Sequence, residues 1–167
     1  DFTPTNYEKS ESGLKVTNTY KSPKIDVTGT KEWVGGPSTH PTIWLKLYRQ
    51  IGSGSAEAVP GALVKELQNG TLTTTWTNID KTDGTGADYT FTVKEVNASG
   101  ADFTPTNYEK SESGLKVTNT YKSPKINIPV SKEWVNTTGD PNPTKITAQL
   151  KRNGSVIAEQ ELSQSNS

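Results

Sequence analysis

Residues 1–25 of this chain, DFTPTNYEKSESGLKVTNTYKSPKI, recur without a single change at 102–126, an offset of 101 residues. Past the identical block the copies diverge but remain aligned: DVTGTKEWV (Asp26 to Val34) against NIPVSKEWV (Asn127 to Val135), then PTIWLKLYR against PTKITAQLKR. A chain that repeats itself over one domain length folds as tandem copies of a single unit, each burying its own core. The text Tyr-Lys-Ser-Pro-Lys at 20–24, repeated at 121–125, marks the joint: a short linker stiffened by one proline. On this reading residues 1–22 are the closing strands of one repeat, 24–122 are a complete repeat, and 125–167 are the opening strands of a third. Both ends then read as cut from a longer array.

Inside the complete repeat the signals are all β. Ile25, Val27, Gly29, Lys31 and Trp33 share one side of a first strand. Ile43, Leu45 and Leu47 share one side of a second, with Trp44, Lys46 and Tyr48 opposite. Gly52 to Ser55 is a glycine-rich turn and Pro60-Gly61 another, unless Ala62 to Leu67 forms a short helical turn instead. Thr71 to Ile79 forms a threonine-rich strand around Trp76, Asp83-Gly84 a loop, Gly86 to Asn97 a further strand, and Leu115 to Tyr121 the closing strand. Several short strands separated by turns predict an all-β sandwich.

Composition limits what such a sandwich can do. The 167 residues carry 18 basic and 18 acidic side chains, so there is neither a basic footprint for nucleic acid nor an acidic tail. Only 29% are hydrophobic, which makes the core thin, yet balanced charge and regular alternation argue against disorder. No apolar run reaches the length of a membrane span, and DFTPTNYEKS lacks the basic and apolar regions of a leader peptide. Cysteine and methionine are both absent. Any covalent brace must therefore use chemistry other than disulfides or thiolate–metal bonds.

Three polar residues occupy phases where apolar ones are due. On the strand GADYTFTVKEVN, Glu95 follows Tyr89, Phe91 and Val93 on the inward side. Lys31 lies between Gly29 and Trp33, and Asn119 between Val117 and Tyr121. A carboxylate on a core-facing phase must be paired, protonated or functional, because burying it alone is costly. If the three faces line one core, the three side chains meet, and the chemistry open to them is amide exchange. Burial lowers the pKa of a lysine and raises that of a glutamate. A neutral Lys31 amine can then attack the Asn119 carboxamide, while protonated Glu95 hydrogen-bonds the amide oxygen and shuttles protons until ammonia leaves. Folding supplies the effective concentration that so slow a reaction needs.

The order KEW near the start, YTFTVKE in the middle and VTNTY at the end, with PTIWLKLYR and WTNID between, resembles the B-region (CnaB) repeats of collagen adhesins, found on Gram-positive surface proteins. The resemblance covers 24–122 and parts of both flanks. It implies a transthyretin-like, inverse immunoglobulin-like β-sandwich whose first and last strands are tied by a spontaneous Lys–Asn isopeptide bond. Carried over by position, Lys31 is the amine, Asn119 the acceptor and Glu95 the catalytic acid. Asn18 and Lys132 are half-sites of neighbouring repeats, lacking their partners within this stretch. The resemblance further implies an extracellular, cell-wall-attached location, no cofactor, and a reaction that happens once per domain without turnover.

Two functional classes follow. One is a structural stalk whose partners are neighbouring repeats, with host or matrix proteins met through other domains; the alternative is an adhesin module that contacts host or matrix molecules directly. Duplicated text favours the stalk, since recognition does not require identical copies. Closing the 88-residue separation from Lys31 to Asn119 would remove roughly 4–5 kcal/mol of denatured-state freedom, comparable to the whole stability of a thin-cored domain.

Weaker signals read as structure. Asp80, Asp83 and Asp88 do not fit a calcium-loop spacing and belong to a hairpin loop. His40, the sole histidine, lacks metal-binding companions in sequence. Asn69, Asn97, Asn136 and Asn153 open glycosylation triplets of the kind that arise by chance. Trp44 and Tyr48, on the outward phase, read as a binding patch or, in preference, as rings packed beneath a loop or against a neighbouring domain.

Overall fold

The computed structural model describes residues 2–135, 139 and 141–163, in two units, Asp1–Pro124 and Lys125–Ser167. The first unit begins with a hairpin, β1 (Tyr7–Ser12) and β2 (Lys15–Tyr20), followed by eight strands: β3 (Lys24–Val34), β4 (Ile43–Ile51), β5 (Glu57–Ala58), β6 (Lys65–Leu67), β7 (Thr73–Asp80), β8 (Tyr89–Val96), β9 (Tyr108–Ser113) and β10 (Lys116–Tyr121).

These eight strands form a two-sheet, all-β sandwich, as the alternation requires. One sheet has the order β7-β3-β10-β9. Its central pair, β3 and β10, is parallel, with Lys116 opposite Thr30 and Asn119 opposite Trp33, while β7 and β9 pair antiparallel on the two flanks. In the other sheet β8 runs along one edge of β4 from Tyr89 to Val96, and the short β5 and β6 share the opposite edge.

The inward faces are those the apolar phases dictate. Val27, Trp76, Ile79 and Val117 come from the first sheet, and Ile43, Leu45, Leu47, Leu67 and Val93 from the second. Trp76 and Ile79 are three positions apart, an odd spacing for one face of a strand. The slip is absorbed by a bulge between Ile25 and Val27 in the β3–β7 register and by Asn78, whose φ is +60°. From Val27 onward β3 keeps its phase, so Lys31 still points inward.

Gly29 decides how closely the sheets approach. A Cβ added there would lie 3.1 Å from Val93 Cγ1, 3.2 Å from Trp76 Cζ3 and 3.3 Å from Leu45 Cδ1. All three are buried core side chains, so none can swing away into solvent.

Three elements differ from the sequence reading or escape it. Residues 65–67 are a strand, not part of a helical turn, because Lys65 to Leu67 pair with Ile43 to Leu45 and Leu67 enters the core. β9, with sequence YEKSES, escapes the alternation rule because its inward phase carries Tyr108, Lys110 and Glu112, not apolar side chains. In the second unit, Asn127 to Val135 repeats the text of β3 but forms no strand. The physical reason is pairing: β3 is held between β10 and β7, and no described strand flanks 127–135. The regular part of that unit is a hairpin, β11 (Lys145–Arg152) and β12 (Ser155–Ser163). It turns at Asn153-Gly154, whose φ values of +51° and +84° suit a two-residue hairpin turn.

Gly29→Val is expected to lower the stability of the sandwich by about 1–3 kcal/mol through overpacking, read as a lower midpoint in denaturant unfolding. An unchanged midpoint would mean that the sheets separate freely at this point.

Candidate functional site

Lys31, Glu95 and Asn119 reach one place in the sandwich from three strands. Lys31 comes from β3 and Asn119 from its parallel neighbour β10, two positions beyond the register partner of Lys31. Glu95 comes from β8 in the facing sheet, opposite Leu45 of β4. Residue exposures are 4% for Lys31 and 0% for both Glu95 and Asn119, so water cannot solvate the charges.

The carboxylate of Glu95 is the common contact. Its Oε2 lies 3.5 Å from Lys31 Nζ, and Asn119 Nδ2 donates to Oε1 and Oε2, each at 3.0 Å. The Lys31 ammonium also donates to the Glu32 carbonyl at 3.0 Å and sits 4.0 Å from the centre of the Trp33 ring. Asn119 Oδ1 is buried and accepts no hydrogen bond. The sequence reading put the amide oxygen against a protonated acid; here the amide nitrogen takes that place. An ionised carboxylate can only accept, so it selects the NH2 edge of the carboxamide. Once Glu95 is protonated it becomes a donor, and a half-turn of the carboxamide about its Cβ–Cγ bond brings Oδ1 to it.

Burial pushes both charges toward neutrality. Desolvation holds the Lys31 amine down at about 8 against its ordinary 10.5, only partly opposed by Glu95 and Glu32. Desolvation likewise raises Glu95, opposed by the Asn119 hydrogen bond and by Lys31. With the amine near 8, roughly a tenth of it is unprotonated at neutral pH, many times more than for a solvated lysine. The site thus combines a lysine able to act as a nucleophile, an acid able to carry a proton, and an amide with a desolvated carbonyl.

Aromatic rings close one end of this site. Trp33 stacks on His40 at 4.6 Å with an interplanar angle of 8° and meets Tyr108 edge-on at 4.9 Å. Tyr108 in turn meets Tyr121 at 5.4 Å.

The profile of the Cna protein B-type domain matches residues 27–120, which include all three members of the site. The chain belongs to the Cna protein B-type domain family. At the sequence level, this B-type domain chain is 35% identical over 135 residues to a collagen adhesin of Staphylococcus aureus, covering 79% of this chain and 11% of that protein. It therefore spans about a tenth of the curated relative it matches. Similar solved structures include a single B repeat unit (B1) of the collagen binding surface protein of Staphylococcus aureus, with 24% identity, 71% of this chain and 62% of that chain covered, and a TM-score of 0.44. A structure of two such units (B1B2) matches at 20% identity over 98% of this chain and 43% of that chain, with a TM-score of 0.44.

The remaining candidates of the B-type domain chain lie apart from the trio. Asn18 is exposed on β2, opposite Lys9. Lys132 is exposed in the second unit; its ammonium donates to the Glu133 carbonyl and lies 4.2 Å from the Trp134 ring. This is the same local arrangement as Lys31, Glu32 and Trp33. Asp83 closes its own loop, with Oδ1 accepting from the Thr85 and Ala87 amides and the Thr85 hydroxyl. Asn69 Oδ1 accepts from the His40 amide, Trp44 and Tyr48 are half-buried on the outer face of β4, and Asn136 lies outside the described residues. The sequence reading missed Lys110 and Glu112, which bracket the Glu95 backbone from β9. Their signal is present in the text: opposite charges two apart, on the face of a strand that also carries an aromatic residue.

The sign of each shift gives a test in Asn119→Ala, which leaves amine and acid in place. Lys31 binds its proton less tightly when folded, so unfolding free energy should rise by up to about 3 kcal/mol as pH goes from 8 to 10.5. Glu95 binds its proton more tightly when folded, so its contribution is full below 4.5 and is lost as pH rises through its elevated value. Denaturant unfolding as a function of pH measures both; a flat profile over the alkaline interval would contradict the desolvation of Lys31.

Proposed function

We propose that this chain is a stalk or spacer repeat of a bacterial surface adhesin or fibre, in which each complete domain is locked by a spontaneous isopeptide bond between Lys31 and Asn119. The observation that carries this reading is the convergence of an amine and a carboxamide on one buried carboxylate. Family membership and the similarity to a collagen adhesin support the surface role.

The chemistry follows from the contacts. A proton passes from Lys31 Nζ to Glu95 Oε2, leaving a neutral amine beside a neutral acid. The amine adds to Asn119 Cγ while the acid hydrogen-bonds the amide oxygen, which carries the developing negative charge. Glu95 then delivers its proton to Nδ2 and recovers one from Nζ; the Cγ–Nδ2 bond breaks, ammonia departs and Glu95 is left as the neutral acid. One amide is exchanged for another, and no oxidant or cofactor enters the balance. The neutral pair holds the same number of protons as the ion pair, so its share is constant between the raised Glu95 pKa and the lowered Lys31 pKa near 8. The rate should fall away on either side of that plateau.

The strand arrangement supports a mechanical purpose. The domain is entered through β3 and left through β10, which lie side by side and parallel. Pulling the ends of such a pair loads the ladder between them in shear, and a covalent bond from Lys31 to Asn119 would carry the tension past everything between those residues.

Intact-mass measurement of the protein is expected to give a value one ammonia below that calculated from sequence, with Lys31→Ala and Glu95→Ala at the full value. A parent chain at full mass would overturn the bond. In single-molecule stretching, the segment between Lys31 and Asn119 should never extend in the parent and should extend fully in Lys31→Ala; equal extension in both would sink the mechanical role.

A further inference from the structure

We propose that Lys110 and Glu112 of β9 form a clamp that holds Glu95 against the amine and the amide, making them positioning residues for cross-link formation. The proposal rests on the reading of the trio as a bond-forming site.

One edge of β8 pairs with β4; at Glu95 the other edge is held largely by side chains. The Glu95 amide donates to Glu112 Oε1 at 2.9 Å. The Glu95 carbonyl accepts from Lys110 Nζ at 3.3 Å and from the Phe103 amide at 3.3 Å. The same ammonium donates to Asp102 Oδ1 at 2.6 Å and to the Phe103 carbonyl at 3.0 Å, and lies 3.2 Å from Glu112 Oε1. All three ammonium hydrogens are thereby engaged, and the Lys110 side chain is only 12% exposed. Both polar groups of the Glu95 peptide are gripped by one ion pair, which fixes the Cα–Cβ direction and so the place where the carboxylate arrives.

Two features connect the clamp to the reaction. Lys110 stands opposite Asn119 in the β9–β10 register, so the hairpin that supplies the acceptor also supplies the grip on the acid. In addition, the clamp forms without Glu95. In the identical β1–β2 hairpin, Lys9 Nζ lies 2.9 Å from Glu11 Oε1, where no β8 strand is paired alongside. The ion pair is a property of the hairpin, presented ready-made to β8.

The charges facing Glu95 are Lys31 from β3, Lys110 and Glu112 from β9, and Asp102 from the loop before β9; β10 contributes neutral Asn119 and β4 neutral Leu45. Removing the charge of Lys110 leaves two carboxylates near Glu95 and makes it harder to ionise. Removing the charge of Glu112 leaves Lys110 less compensated and makes ionisation easier. The two substitutions therefore act on Glu95 with opposite sign.

The test uses full chain assembled by chemical ligation in denaturant, where no bond forms, and diluted into folding buffer. Ammonia loss is followed by intact mass as a function of pH. Lys110→Gln should slow bond formation roughly tenfold to a hundredfold and move the acid limb of the profile to higher pH, with Lys110→Arg restoring most of the rate. Glu112→Gln, isosteric and able to keep its hydrogen bond to the Glu95 amide, should move the acid limb to lower pH. If Lys110→Gln fails to fold, Glu112→Gln decides the matter alone. A second readout needs no bond: in an Asn119→Ala background, the Glu95 carboxyl titration observed by NMR should shift up with Lys110→Gln and down with Glu112→Gln. Unaltered rates and profiles, or shifts of the same sign, would overturn the clamp. A parent chain that never sheds ammonia would overturn the cross-link itself, a result distinct from either of those.

Discussion

A carboxylate sealed between two sheets must be answered from inside the protein, and the answer given to Glu95 organises this domain. Its side chain is out of contact with water, so an amine from β3 and an amide from β10 have to reach it, while a hairpin ion pair on β9 holds its backbone. An apolar residue at this position would leave Lys31 and Asn119 as buried polar groups with no common partner, at a cost of several kcal/mol for the lysine charge alone. The arrangement is therefore uneasy by construction: desolvation works against both charges, and the Asn119 carbonyl goes without a hydrogen bond. Under the proposed exchange the strain is relieved, since a charged pair and a primary amide become one neutral secondary amide, a neutral acid and a departing ammonia. On that proposal, misfit in the precursor gives the exchange its direction.

The topology that gathers these groups also places them on the line along which a tethered domain would be pulled. With only 29% of residues hydrophobic and no cysteine, a thin core cannot by itself give large resistance to unfolding. A parallel pair joining the entry and exit strands offers shear resistance from the backbone ladder, and a bond within that pair would make the resistance covalent. Close approach of the sheets at Gly29 packs Val93, Trp76 and Leu45 together beside the same strand.

How much of this could be read from the text depends on whether a side chain advertises its environment. Lys31, Glu95 and Asn119 are legible because each interrupts an alternation of apolar residues, and a polar residue on a buried phase is an anomaly with few explanations. β9 is illegible to hydropathy for the converse reason: its inward face carries Lys110 and Glu112 beside Tyr108, so no apolar period-2 signal appears and only the opposite charges two apart mark it. β6 is ambiguous because three residues show no period at all, and pairing with Ile43 to Leu45 settles it. The bulge at Asn78 is likewise set by fit between β3 and β7 and not by any residue pattern in β7 alone.

The duplicated hairpin separates the two kinds of information within a single molecule. Residues 7–20 and 108–121 have identical sequence and adopt the same local structure, pairing Tyr7 with Tyr20 and Tyr108 with Tyr121. They share left-handed residues at Asn6 and Asn107 and at Gly13 and Gly114, and edge-on tyrosine pairs at 5.5 and 5.4 Å. Local sequence determined all of that, because turn chemistry and cross-strand neighbours act over a few residues. It did not determine burial: Val16 is 60% exposed where Val117 is 0%, and Asn18 is exposed where Asn119 is sealed against Glu95. Only the packing of β3 and β8 against the second copy removes the water, and removal of water is what separates the sealed asparagine from its exposed twin.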